Sequence, residues 1–109
     1  MATELPVTLT RYIVAQNDLD AERMAACFAP DATVHDEGHT YVGRDAIREW
    51  KLATIAKYAI SIEPLEAAGD ARRLAVKARV TGNFPGSPAD LTYGFVLDEA
   101  GLICELVIG

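Results

Sequence analysis

Asp36 is the side chain best placed to do chemistry in this sequence. It closes the run Ala32-Thr33-Val34-His35-Asp36, whose apolar members alternate. Alternation in an extended strand puts Asp36 on the same side as Ala32 and Val34. If that side faces a core, a carboxylate stands in apolar surroundings, where burial disfavours the charged form and raises its pKa. A carboxyl group titrating nearer neutrality can take a proton as a base and return it as an acid. A second reading stands beside this one, in which Asp36 opens the turn at Glu37-Gly38 and caps backbone amides there. His35, Asp36, Glu37 and His39 together form a dense ligand-capable cluster. In a strand, however, His35 points away from Asp36, and the spacing is not the helical His-Glu-x-x-His pattern, so no metal is expected. His39, beyond the turn, is expected at a pocket rim as a ligand contact or second proton carrier. There is no glycine-rich phosphate loop, and no cofactor is expected.

Three helices are expected to position these groups. Leu5 to Gln16 places Leu5, Leu9, Tyr12 and Ile13 on one face, with Thr3 as cap and Pro6 in the first turn. Asn17-Asp18-Leu19-Asp20 breaks the pattern. Asp20 then caps a second helix whose Ala21, Met24, Ala25 and Phe28 share a face, until Pro30 stops it. Thr40-Tyr41-Val42 reads as a short strand after the Glu37-Gly38 turn. A third helix spans roughly Asp45 to Tyr58, with Arg44-Asp45 engaged in local capping and ion pairs. Its apolar residues Ala46, Ile47, Trp50, Leu52, Ala53 and Ile55 run nearly all round it, which predicts cover on more than one side.

Strands dominate after residue 60. Ile60 to Ala67 contains Pro64, which suits an edge or a bulge. Leu74, Val76, Ala78 and Val80 alternate with Arg73, Lys77, Arg79 and Thr81, a half-buried strand with a solvated or rim-forming basic stripe. A loop at Gly82 to Pro88 leads to Leu91, Tyr93, Phe95 and Leu97, and the Asp98–Gly101 turn leads to Leu102, Cys104, Leu106 and Ile108. Short connections imply an antiparallel meander. The class is α+β, with helices packed on one face of an antiparallel or mixed sheet. Ile103, Val107, Gly94 and Val96 lie on the second face and predict a homodimer formed through it.

Composition narrows the function. The 109 residues suffice for one domain, taken as 1–109, with half of the residues apolar and 24% charged. A net charge of −6 weighs against nucleic acid. The apolar runs are too short to span a bilayer, and Met1 to Pro6 has no basic start or apolar stretch like a signal peptide. Cys27 and Cys104 lie 77 residues apart and read as ordinary buried thiols of a reducing compartment, so a cytoplasmic location is expected.

Several strings then converge. Arg11-Tyr12-Ile13-Val14-Ala15, Asn17-Asp18-Leu19-Asp20, Phe28 to Asp36 and Gly43-Arg44-Asp45-Ala46-Ile47 resemble the nuclear transport factor 2-like superfamily. More narrowly, they resemble its SnoaL-like polyketide cyclase and ketosteroid isomerase branches. The resemblance implies a curved sheet wrapped by three helices, a cone-shaped α+β barrel with an apolar pocket at its open end.

In the isomerase branch a tyrosine of the first helix donates to the substrate oxyanion and an aspartate ending the first strand shuttles the proton. Tyr12 and Asp36 match them, with the same separation of 24 residues. The second donor there is a protonated aspartic acid on a late strand, where this chain has Tyr93. In the cyclase branch a late-strand carboxylate acts, and Leu91, Tyr93, Phe95 and Leu97 offer none. The last expected strand runs to Gly109, and no tail is expected to close the pocket. Trp50 is expected as a pocket wall and Phe84 as a lid or dimer contact, with Phe95, Tyr41 and Tyr58 as further aromatic candidates. Two functions follow from the resemblance. One is cofactor-independent isomerase or lyase chemistry beside a carbonyl. The other is non-catalytic binding of a small apolar molecule, or a dimeric scaffold whose pocket is vestigial.

Overall fold

The computed structural model describes residues 5–109. The Thr3 cap, and most of the leader reading at Met1 to Pro6, therefore lie outside the described residues. In chain order the elements are α1 (Val7–Asn17), α2 (Ala21–Ala26), β1 (Phe28–Asp36), β2 (His39–Val42), α3 (Arg44–Tyr58), β3 (Ser61–Gly69), β4 (Arg73–Thr81), β5 (Ala89–Leu97) and β6 (Ile103–Ile108). The six strands form one sheet in the order β2-β1-β6-β5-β4-β3. All neighbours are antiparallel except β1 and β6, so the sheet is mixed. The helices cover one curved face, which confirms the α+β class. The cone is not a closed barrel, since β2 and β3 are free edges.

Local chemistry explains most boundaries. The Asp20 side chain accepts from the Arg23 backbone N–H at 3.1 Å, capping α2 as its position predicts. Glu37 and Gly38, both at positive φ, make the two-residue turn between β1 and β2. Pro64 sits in edge strand β3, at a register shift between Pro64 and Glu66. The strand β4 alternates between exposed and buried along its whole length.

Three expectations need correction. Phe28 does not end α2 but begins β1. The Ile103 N–H donates to the Cys27 carbonyl at 2.9 Å, so pairing with β6 captures the chain directly after α2. Pro30 then lies within β1, exposed beside a register shift. Ile103, assigned to the outer face, is fully buried. A bulge near Cys104 pairs Ile103 with Leu97, and Val96 with Glu105, which turns Ile103 inward while Val107 stays outside. Finally, α3 is buried on one side only, through Ile47, Trp50 and Lys51, while Leu52 is 48% exposed.

The core lies between the helices and the sheet. Leu9, Tyr12 and Ala15 of α1 and Ile47 of α3 meet Val34, Leu74, Phe95 and Leu106 of the sheet. Asn17 fixes α1 to β3 with a reciprocal pair, donating to the Ile62 carbonyl at 3.0 Å and accepting from its N–H at 2.8 Å. Arg44 donates to the Phe28 carbonyl through two nitrogens, at 2.6 and 3.2 Å, tying the start of α3 to β1.

Candidate functional site

Register places the site. On the inner face Asp36 of β1 neighbours Ile108 of β6, which neighbours Tyr93 of β5, which neighbours Val76 of β4. Two strand spacings put the Asp36 and Tyr93 backbones roughly 10 Å apart. The intervening gap opens into a cavity of about 370 Å³ whose lining includes Asp36, Tyr93, Lys51, Trp50 and Phe84. Ile60, Val80, Leu91 and Ile108 make its apolar wall. A second, more open lobe of about 650 Å³ shares Asp36, Trp50 and Tyr58 and carries His39 and Tyr41 at the outside. Asp36 therefore lines the hollow, on the face expected from its alternation with Val34. His35 lies on the opposite face, with Nδ1 3.2 Å from the Thr40 hydroxyl and Nε2 3.9 Å from Glu105.

Lys51 is the candidate site residue that sequence reasoning missed. It is 4% exposed, and its Nζ donates to the Tyr12 hydroxyl at 2.6 Å and to the Gln16 side-chain carbonyl at 2.9 Å. The same ammonium lies 4.1 Å from the centre of the Trp50 ring. An ammonium carries three N–H donors, so one remains for the cavity. The signal was available in the spacing. Ile47, Trp50, Lys51 and Thr54 fall on one helical face at i, i+3, i+4 and i+7, and that face holds a lysine.

The two tyrosines stand differently toward the hollow. Tyr12 is fully buried, edge-on to Phe28 and Phe95 with ring centres 5.7 Å away in each case. It is not among the residues lining the cavity, and its hydroxyl accepts from the Lys51 head. Tyr93 lines the cavity directly and stacks on Phe95 at 6.1 Å. Phe95 packs beneath both rings within the core instead of lining the hollow. Trp50 stacks on Tyr41 at 5.2 Å, making a flat aromatic wall. Phe84 meets Tyr58 edge-on at 6.1 Å. Its loop is tied to the end of α3, where the Asn83 N–H donates to the Tyr58 carbonyl at 2.8 Å. A side chain at Gly82 would come within 2.7 Å of that same carbonyl, so glycine is required for the approach.

The electrostatics follow from burial. Loss of solvent raises the Asp36 carboxyl above its ordinary value and Glu37 adds to this, while Lys51, the Trp50 indole and His39 oppose it. Burial lowers the Lys51 ammonium to about 7, against an attraction to Asp36 that works the other way. Burial also pushes both phenols up, Tyr12 and Tyr93 alike, so they stay protonated at neutral pH. The cavity thus brings together a carboxyl that holds its proton more tightly than usual, an amine that holds its proton less tightly, and a phenol that stays protonated.

Comparison with known proteins agrees with this architecture. Residues 9–105 match the model of the SnoaL-like domain. The chain belongs to that family. A solved structure of a candidate polyketide cyclase, SMa1630 from Sinorhizobium meliloti, is 39% identical over 96% of this chain and 95% of its own, with a TM-score of 0.91. A Catenulispora acidiphila protein with a ketosteroid isomerase-like fold, solved in complex with trimethylamine, is 20% identical over 97% of this chain and 86% of its own, with a TM-score of 0.85. SalBIII, an epoxide hydrolase/cyclase-like enzyme of pyran ring formation in salinomycin, is 20% identical over 94% of this chain and 86% of its own, at a TM-score of 0.81. These two show the shared fold alone. A search of curated proteins returned no match. Among the described residues no helix is long and apolar enough to cross a membrane.

Proposed function

We propose that the cavity holds a small apolar carbonyl compound and that Asp36 moves a proton at the carbon next to the carbonyl. The observation that supports this is one cavity whose lining combines three complementary groups, a half-buried carboxyl, the Tyr93 phenol and Lys51, with apolar side chains. With the carbonyl oxygen toward Tyr93 and Lys51, negative charge developing on that oxygen meets donors already in place, a contribution of about 3–4 kcal/mol per donor in dry sites. Asp36 then takes the neighbouring proton and returns it elsewhere. Tyr12, matched by resemblance to an oxyanion donor, acts here by holding the Lys51 head. SMa1630, described as a candidate polyketide cyclase, makes cyclic and aromatic ketones of polyketide type the first compounds to try.

A non-catalytic binding role is the second reading. Its support is the seclusion of the Tyr12 hydroxyl behind Lys51, which leaves Tyr93 as the one phenol of the isomerase-like pair on the hollow. A thermal-shift screen with planar ketones, steroids and aromatic polyketides tests both. Stabilisation that grows with ligand concentration is expected. Solvent deuterium incorporated into the hit supports catalysis, stabilisation without exchange supports binding, and no stabilisation by any compound overturns both.

A further inference from the structure

Lys51 is more than a charged wall. Lys51 lines the cavity, 4% exposed, and its amine is held by Tyr12 and by Gln16, which lines the cavity too. The face of Trp50 flanks it, and Asp36 and Tyr93 line the same hollow. An amine nucleophile needs a lone pair, a carbonyl held in front of it, and a proton donor for the departing oxygen. The cavity supplies each from a different element: the amine from α3, the carboxyl from β1 and a phenol from β5.

We propose that Lys51 adds covalently to aldehydes or ketones bound in this cavity, forming a Schiff base. This rests on the preceding reading that the hollow takes a carbonyl compound. The lone pair of the neutral amine attacks the carbonyl carbon and forms the C–N bond. The C=O π pair moves to oxygen, which accepts a hydrogen bond from the Tyr93 phenol and takes a proton from a protonated Asp36, and the Asp36 carboxylate so formed takes a proton from the nitrogen. The nitrogen lone pair then forms C=N while the C–O bond breaks. Oxygen leaves as water with a second proton, delivered by Asp36. The balance is amine plus carbonyl plus one proton giving iminium plus water, with no oxidant or reductant. The iminium carries the same single charge as the ammonium it replaces, so Asp36 keeps its cationic neighbour.

Burial supplies the reactive state, since an amine titrating at about 7 is unprotonated in a large share of molecules at neutral pH, unlike a solvated lysine. An iminium also withdraws electrons from the adjacent carbon more strongly than a hydrogen-bonded carbonyl does, which eases removal of the proton by Asp36. The sequence makes the test clean, because its three lysines are Lys51, Lys57 and Lys77, and the latter two are exposed.

The protein is incubated at pH 7 with benzaldehyde and sodium cyanoborohydride, which reduces an iminium to a stable amine, and labelling is followed by peptide mass mapping. Lys51 is expected to label at least about tenfold faster than Lys57 or Lys77. That preference is expected to vanish in urea-unfolded protein and in Lys51→Arg. If the arginine variant does not fold, the comparison of folded with unfolded wild type decides alone. Equal labelling of the three lysines, with benzaldehyde still raising the melting temperature, overturns the covalent step and leaves the binding reading standing. Neither labelling of Lys51 nor any thermal shift overturns both.

Discussion

The Nζ of Lys51 stands 2.6 Å from the hydroxyl oxygen of Tyr12, and both side chains are buried. The phenol is one of two protein acceptors for that ammonium, the other being Gln16. Tyr12→Phe therefore leaves a buried cation short of a partner. Below pH 7 the expected loss is about 1–3 kcal/mol of stability, measured by urea unfolding. Tyr93→Phe removes a hydroxyl that faces the hollow, so its cost in stability is expected to stay below about 1 kcal/mol while any proton exchange slows about 100-fold. The reverse ranking of the two variants would contradict the placement of the donors.

Asp36→Asn separates the proton carrier from the pocket. The amide keeps the shape and loses the base, so deuterium exchange into a bound ketone is expected to fall by at least about 100-fold with little change in melting temperature. Affinity for a neutral ketone is expected to survive. Exchange that persists in this variant would remove Asp36 from the role of shuttle.

Lys51 makes stability depend on pH in a definite direction. Its pKa is lowered from 10.5 to about 7 on folding, so between those values the unfolded chain binds more protons than the folded one. Stability therefore rises with pH across that window, and the penalty of burying the ammonium is full below about 7. The rise is on the order of a few kcal/mol. Melting temperatures from pH 6.5 to 9 are expected to climb in the wild type and to stay nearly flat in Lys51→Met. A parallel climb in both proteins would assign the trend elsewhere.

The outer sheet face is proposed to pair with a second copy of the chain. Val107 is 46% exposed there, beside Gly94, with Val96 and Ala75 on the same face. Sedimentation of the wild type is expected to give a dimer, and Val107→Lys is expected to shift it toward monomer without changing the helical signal. A wild-type monomer at micromolar concentration would end the proposal.

Much of this molecule was readable from residue order alone. Alternation in Leu74 to Val80, the breaker at Pro64, the Asp20 cap and the Glu37-Gly38 turn each act within a few residues, so strands, edge and turn emerge without tertiary knowledge. The inward aim of Asp36 was legible for the same reason, because a strand's period of two ties it to Val34. Longer-range competition decided the rest. Phe28 left the helix because β6 offered its backbone a partner, and Ile103 turned inward because one bulge reverses every side chain beyond it. Lys51 was hidden by its type. A lysine is ordinarily solvated, and only the tertiary placement of α3, packed on α2 and β1, brings this one to a phenol and an amide of α1. The sequence by itself determined most of the elements, the family and the side of its strand on which Asp36 lies. Tertiary structure alone brought an amine 39 positions from Tyr12 into contact with its hydroxyl, because desolvation depends on what surrounds a group in space.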